Sequence, residues 1–290
     1  MHYSDSELIL NDRGGVYHLG IRPEELAQTV LLVGDPDRVK QIASFFDTIE
    51  VNHQHREFVT CTGTYHSQRI SVISTGIGTD NIDIVLNELD ALANIDLNNR
   101  TNNSNFRTLS IIRIGTCGIL QANIPVNAYI LSTHALGLDS VPFYYEQQAI
   151  QMDSKFITRL KKEVNFPKGV TPYLVSSSNR LTALLRSDKT TEGITVTGCG
   201  FYAPQGRRLR LPLSRPNFID ELSEFNFENQ AFINFEMECS ALFALSAAFG
   251  HEATAICLGI ANRKTKTFSS NVPEEMEELI HYVLTRILKP

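Results

Sequence analysis

Tryptophan is absent from this chain, and so is any Cys-x-x-Cys pair: five cysteines stand far apart at positions 61, 117, 199, 239 and 257. An odd, scattered set of thiols in apolar surroundings builds no disulfide framework and reads as free cysteines in a reducing compartment. Positive charge is also in short supply. Lysine and arginine number 26 against 32 aspartates and glutamates, a formal net charge of -6. A nucleic-acid partner calls for the opposite balance. No run approaches the ~20 apolar residues of a membrane span, and the opening "MHYSDSELILNDRGG" has no apolar core of signal-peptide length. These absences predict a cytoplasmic protein that engages neither membrane nor nucleic acid. Nor is there a Gly-Lys-Ser/Thr phosphate loop or a G-x-S-x-G nucleophile turn.

What the sequence does contain is a recurring alternation. Strand-like runs rich in Val, Ile, Leu or Thr occur at 29–34, 69–75, 109–115, 128–133, 173–178, 193–198, 232–236 and 254–260. Helix-like stretches at 37–46, 80–93, 153–163, 179–187, 237–249 and 273–288 separate many of them. Segment 50–75 reads as an antiparallel hairpin, and the asparagine-rich 96–107 as a surface loop. The pattern predicts one α/β domain over residues 1–290, with a mixed twisted sheet covered by helices on both faces. In such sheets ligands sit beyond the carboxyl ends of strands.

Unusual residues fall at those ends. In "SIIRIGTCG" (110–118), Arg113 interrupts an apolar run that is expected to stop at Gly115. A guanidinium cannot shed its proton to escape burial, so it needs either an internal carboxylate or a bound anion. Thr116, placed on a glycine-flanked turn, would add a hydroxyl and turn amides. With Gly34 and Arg38 of "LLVGDPDR", these donors suit a tetrahedral oxyanion. Glu236 and Glu238 of "FINFEMECSALFAL" are acids in an apolar crevice, suited to a diol or to a helix start. Phe201, Tyr202, Gln205 and Arg207 in "GCGFYAPQGRR" can meet a planar heterocycle with a ring face, an amide and a guanidinium. His53 and His55 share a strand face without a third ligand and read as polar strand residues, not a metal site.

Taken in order, "YHLGI" (17–21), "GDPDRV", "HREF", "STGIG", "RIGTCG", "FYAPQGR", "FEMECSALFAL" and "GIANR" (259–263) resemble the nucleoside phosphorylase family over most of the chain. The resemblance implies phosphorolysis of uridine, with deoxyuridine or thymidine as further substrates, to uracil and a pentose 1-phosphate. Inorganic phosphate would be co-substrate, with no organic cofactor. It matches Gly34, Arg38, Arg113 and Thr116 to the phosphate site, joined by Arg56 from a neighbouring subunit. Met237 and Glu238 match ribose contacts, with His18 supplied by the partner chain; Phe201, Gln205 and Arg207 match the base site. Arg113, Arg207 and Glu238 then carry the catalytic roles. A homodimer with shared active sites is implied, alone or within a hexamer.

Some positions depart from the family pattern. Purine-specific members place an aspartate near "GIANR", where Ile260, Ala261 and Asn262 offer no acid. Bacterial members hold a potassium ion between subunits with a glutamate matching Glu57, but Asn81 interrupts the accompanying segment. Segment 96–107 resembles an insertion. Two other functions fit the same fold: a hydrolase using water in place of phosphate, and a non-catalytic nucleoside sensor.

Overall fold

The apolar runs fold as strands and the stretches between them as helices. A computed structural model describes residues 2–146, 153–228 and 230–288. Strand β1 (Thr29–Val33) leads into α1 (Pro36–Ala43), whose start is set by Asp35 accepting from the Asp37 N–H at 2.9 Å and by Pro36 in the first turn. There follow β2 (Thr48–His55), β3 (Phe58–Tyr65), β4 (Gln68–Ser74), α2 (Thr79–Asn94), β5 (Ile95–Asp96), β6 (Thr101–Asn102), β7 (Ser110–Ile119) and β8 (Tyr129–Gly137). The chain continues through α3 (Ser154–Glu163), β9 (Tyr173–Ser176), α4 (Asn179–Leu185), β10 (Thr190–Thr197), α5 (Phe218–Glu224), β11 (Asn226–Phe227) and β12 (Gln230–Glu236). It ends with α6 (Cys239–Ala248), β13 (Glu252–Asn262), β14 (Thr267–Phe268) and α7 (Val272–Ile287).

The central sheet runs β11-β12-β10-β8-β13-β7-β1-β4-β3-β2. It is mixed, as expected: β4, β1, β7 and β13 lie parallel, as do β8, β10 and β12, while β8 and β13 meet antiparallel. Helix α6 is buried from Cys239 through Ser246 and packs with α2 on one face. Helix α7 turns Met276, Leu279, Ile280, Val283, Leu284 and Ile287 to the other, an i, i+3, i+4 stripe. Among the described residues, no helix is long and apolar enough to cross a membrane.

Three sequence expectations need correction. Strand β7 does not stop at Gly115; it continues through Ile119, and its far end pairs antiparallel with β12 through Gly118 and Phe235. That pairing closes β12, β10, β8, β13 and β7 into a ring within the mixed sheet. Two glycines, at 115 and 118, disguise the continuation as a turn. Segment 50–75 belongs to a three-stranded meander rather than one hairpin. The asparagine-rich loop contains the β5–β6 hairpin, closed where Asp96 accepts from the N–H groups of Asn98 and Asn99, each at 3.0 Å.

Candidate active site

A cleft of about 560 Å³ opens at the carboxyl ends of β1, β4, β7, β10 and β12. Gly34 and Arg38 reach it from the β1–α1 turn, and Gly76 and Ile77 from the end of β4. Arg113 and Thr116 enter from β7, Glu236, Met237 and Glu238 from the β12–α6 junction, and Phe201, Gln205 and Arg207 from the loop after β10. Every residue matched to one chain's own site therefore lines a single cavity.

Arg113 is 4% exposed, and its partners are carboxylates. Nη2 donates to Glu238 Oε2, and Nε lies 3.8 Å from Glu236 Oε2. Burial works against the charged guanidinium, but Glu238 and Glu236 outweigh it and hold the group cationic, above its ordinary value. Nε and Nη1 nevertheless have no hydrogen-bond partner. The internal ion pair and the bound anion are thus not exclusive: one nitrogen serves the carboxylate and two donors remain. Arg38 donates only weakly, to the Ile114 carbonyl at 3.4 Å, and burial with the Arg113 charge lowers its pKa. Thr116 lies within β7, so its expected turn amides belong instead to a strand; its place on the cleft wall remains.

The two acids differ. Glu238 also accepts from the Gly78 N–H at 2.8 Å. Gly78 presents that N–H from φ +100°, a backbone region closed to side-chain-bearing residues without strain. Glu236 instead ties down the start of α6: it accepts from the Thr197 hydroxyl at 2.6 Å and from the N–H groups of Glu238 and Cys239 at 2.8 and 2.9 Å. It is the helix-start acid of the pair. Burial and the Glu238 carboxylate push its pKa up to about 7, against Arg113, Thr197 and the Glu238 amide.

That shift predicts a pH-dependent stability. An acid with a folded-state pKa above its unfolded value near 4.5 binds more protons when folded, so raising pH through this window costs stability, on the order of a few kcal/mol. Between pH 4.5 and 7 the wild type is expected to lose stability relative to Glu236→Gln in denaturant titrations. Parallel profiles would assign the titration elsewhere.

At the other end of the cleft, the Arg207 guanidinium sits 3.8 Å over the Phe201 ring. Its Nη1 donates to Gln205 Oε1 and the Phe201 carbonyl, both at 2.6 Å. Gly206 makes the turn between them at φ +68°, where a Cβ would meet Ile219 at 2.4 Å. Arg263, which residue-level reading passed over inside "GIANR", donates to the Gln205 carbonyl and braces this loop. Gly78 and Thr197 were also missed; only the repeated glycines of "STGIG" hinted at the former. Asn262 is structural, donating to the carbonyls of Gln121 and Ile124 at 2.9 and 2.8 Å. Ile260 and Ala261 line the cleft without a proton donor. Cys117 lines it too, but burial and the adjacent Cys257 raise its thiol well above the usual range, against a nucleophilic role.

His18 and Arg56 do not line this cleft. Arg56 is exposed on the β2–β3 turn at φ +55°, and the preceding residue, His55, contacts the His18 carbonyl at 3.3 Å. The two residues matched to a partner's site therefore lie near each other. Glu57 Oε1 accepts from the Asn81 amide at 3.4 Å, so the positions associated with potassium do meet. One carboxylate engaged by an amide N–H is an incomplete cation cage on a single chain. His53 approaches Arg13 at 3.3 Å. Among the described residues, no group of three or more His, Cys, Asp or Glu could hold a metal ion.

Comparison with known proteins adds an independent line. Residues 28–289 match the family described as the phosphorylase superfamily. The chain is similar to a uridine phosphorylase of Thermococcus kodakarensis, 30% identical over 89% of this chain and 81% of that protein. It is also similar to a DeoD-type purine nucleoside phosphorylase of Roseobacter denitrificans, 26% identical over 82% of this chain and 84% of that one. A solved Trypanosoma brucei nucleoside phosphorylase, described as having uridine phosphorylase activity, superposes with a TM-score of 0.88 at 29% identity, covering 98% of this chain and all of that one.

Proposed function

The chain belongs to the phosphorylase superfamily, and we propose that it cleaves uridine with inorganic phosphate, yielding uracil and ribose 1-phosphate. The observation that carries this reading is one cleft holding a buried arginine with two unpartnered nitrogens beside a carboxylate, and a guanidinium–amide pair at its far end. Similarity to uridine phosphorylases from two sources supports the substrate.

The chemical problem is breaking the C1′–N bond, which leaves positive charge on the sugar and negative charge on the base. Phosphate held by Arg38, Arg113, Thr116 and the Gly34 backbone is aligned to attack C1′, and its charge steadies the cationic sugar. Glu238, fixed by Arg113 and Gly78, accepts from the ribose hydroxyls, with Met237 against the sugar. Gln205 and Arg207 hold the carbonyl edge of uracil over Phe201 and stabilise the leaving anion. No protein group becomes covalently attached. The reaction calls for no organic cofactor.

His18 and Arg56 serve the active site of a partner chain, so the working unit is a homodimer or a larger assembly of dimers. The enzyme acts in the cytoplasm on small molecules in pyrimidine salvage.

Uracil release from uridine is expected to be about a hundredfold faster with phosphate than without it. Inosine should be turned over about a hundredfold more slowly than uridine, because no acid near Ala261 protonates a departing purine. Equal rates without phosphate would point to the hydrolase, and no release under either condition to the sensor. Inosine turned over like uridine would overturn the base assignment.

A further inference from the structure

Beyond the cleft, one carboxylate is committed to a loop that lacks regular structure. Glu88, in the middle of α2, accepts from the His18 N–H at 2.8 and 3.1 Å and from the Leu19 N–H at 2.7 Å. The same carboxylate meets His18 Nδ1 at 2.7 Å. The two side chains are 15% and 27% exposed respectively, and Tyr17 and Phe58 pack edge-on to the imidazole with centroids at 5.0 and 6.0 Å. We propose that Glu88 is a positioning residue for the reaction, holding His18 in the orientation and tautomer with which it meets the ribose of the partner's site. The proposal rests on the shared-site reading given above.

The chemistry follows from the donor inventory. An ionised carboxylate only accepts, so Nδ1 carries the proton and the lone pair of the neutral ring falls on Nε2. Nε2 has no hydrogen-bond partner among the described residues and is the ring atom directed away from Glu88. A hydroxyl can donate to it there. The two backbone N–H bonds hold the loop itself, so ring and loop are referenced to one rigid helix. A carboxylate taking three donors from two consecutive residues supports a ring whose direction matters; capping the loop alone would need only the backbone pair.

A double-mutant cycle tests this in the intact enzyme. Glu88→Gln, which has one acceptor oxygen and no charge, is expected to raise the uridine KM about tenfold while the phosphate KM stays within about twofold. In a His18→Ala background the same substitution should change the uridine KM by less than about twofold, because the group it acts through is gone. A full tenfold effect persisting in that background would overturn the proposal. If Glu88→Gln fails to fold, Glu88→Asp keeps the charge and withdraws the carboxylate by one methylene, and the same cycle applies with the same two outcomes. A His18→Ala enzyme with a wild-type uridine KM removes the ribose role of His18 and this proposal with it. Phosphate-dependent uracil release by that enzyme then reports separately whether the phosphorylase reading stands.

Discussion

Replacing Arg113 with methionine is expected to lower stability by about 3–5 kcal/mol and turnover by at least about a hundredfold. The stability loss comes from what remains. Glu238 and Glu236, 3% and 4% exposed, would keep their burial and lose the cation between them. The melting temperature should fall by about 10 °C. The activity loss has a different origin under the proposed function, in which Arg113 is a phosphate donor. The double variant Arg113→Met/Glu238→Gln isolates the stability part, since it alters the proposed ribose contact as well as the phosphate donor. It removes the orphaned charge at Glu238 while leaving an acceptor for the Gly78 N–H, so much of the stability should return. Activity should not return. Thermal unfolding and uridine phosphorolysis measured on both variants check this, and a stable double variant with wild-type turnover would remove Arg113 from the phosphate site.

The second large effect is a recovery. Arg38→Ala and Arg56→Ala chains, each expressed alone, should be impaired at every site. Arg38 suits the experiment because its weak bond to the Ile114 carbonyl leaves no buried charge behind when it is cut away. In a mixed dimer, one site joins the intact Arg38 of one chain to the intact Arg56 of the other, and the opposite site lacks both. Random pairing of equal amounts makes about half the dimers mixed, so about a quarter of all sites should recover if the interface is isologous. Co-expression followed by a uridine assay measures it. No recovery means that Arg56 serves its own chain.

The helices were legible where their periodicity is long. The stretches 80–93 and 273–288 differ by one residue at each end from Thr79–Asn94 and Val272–Ile287. Helix α5 was not foreseen, although α4, equally short at seven residues, was. The far half of β7 was hidden because glycine reads locally as a turn, while its strand state depends on β13 and β12, far away in sequence. Local sequence does not separate Glu236 from Glu238; only the family resemblance matched Glu238 alone to the ribose. Thr197 claims one, 39 residues distant, and Arg113 and Gly78 claim the other from 125 and 160 residues away.

By itself, then, the sequence determined the α/β alternation, the strand ends at which chemistry gathers, and the candidate residues, because local apolar periodicity and glycine-marked strand ends are written into adjacent positions. The tertiary structure alone decided that β7 runs on to close a ring, that Arg113 gives one nitrogen to a carboxylate and keeps two without a partner, and that neither His18 nor Arg56 lines its own chain's cavity. Those outcomes rest on hydrogen bonds and charge pairs between residues far apart in the chain, whose partners are chosen only when the strands that carry them are laid side by side.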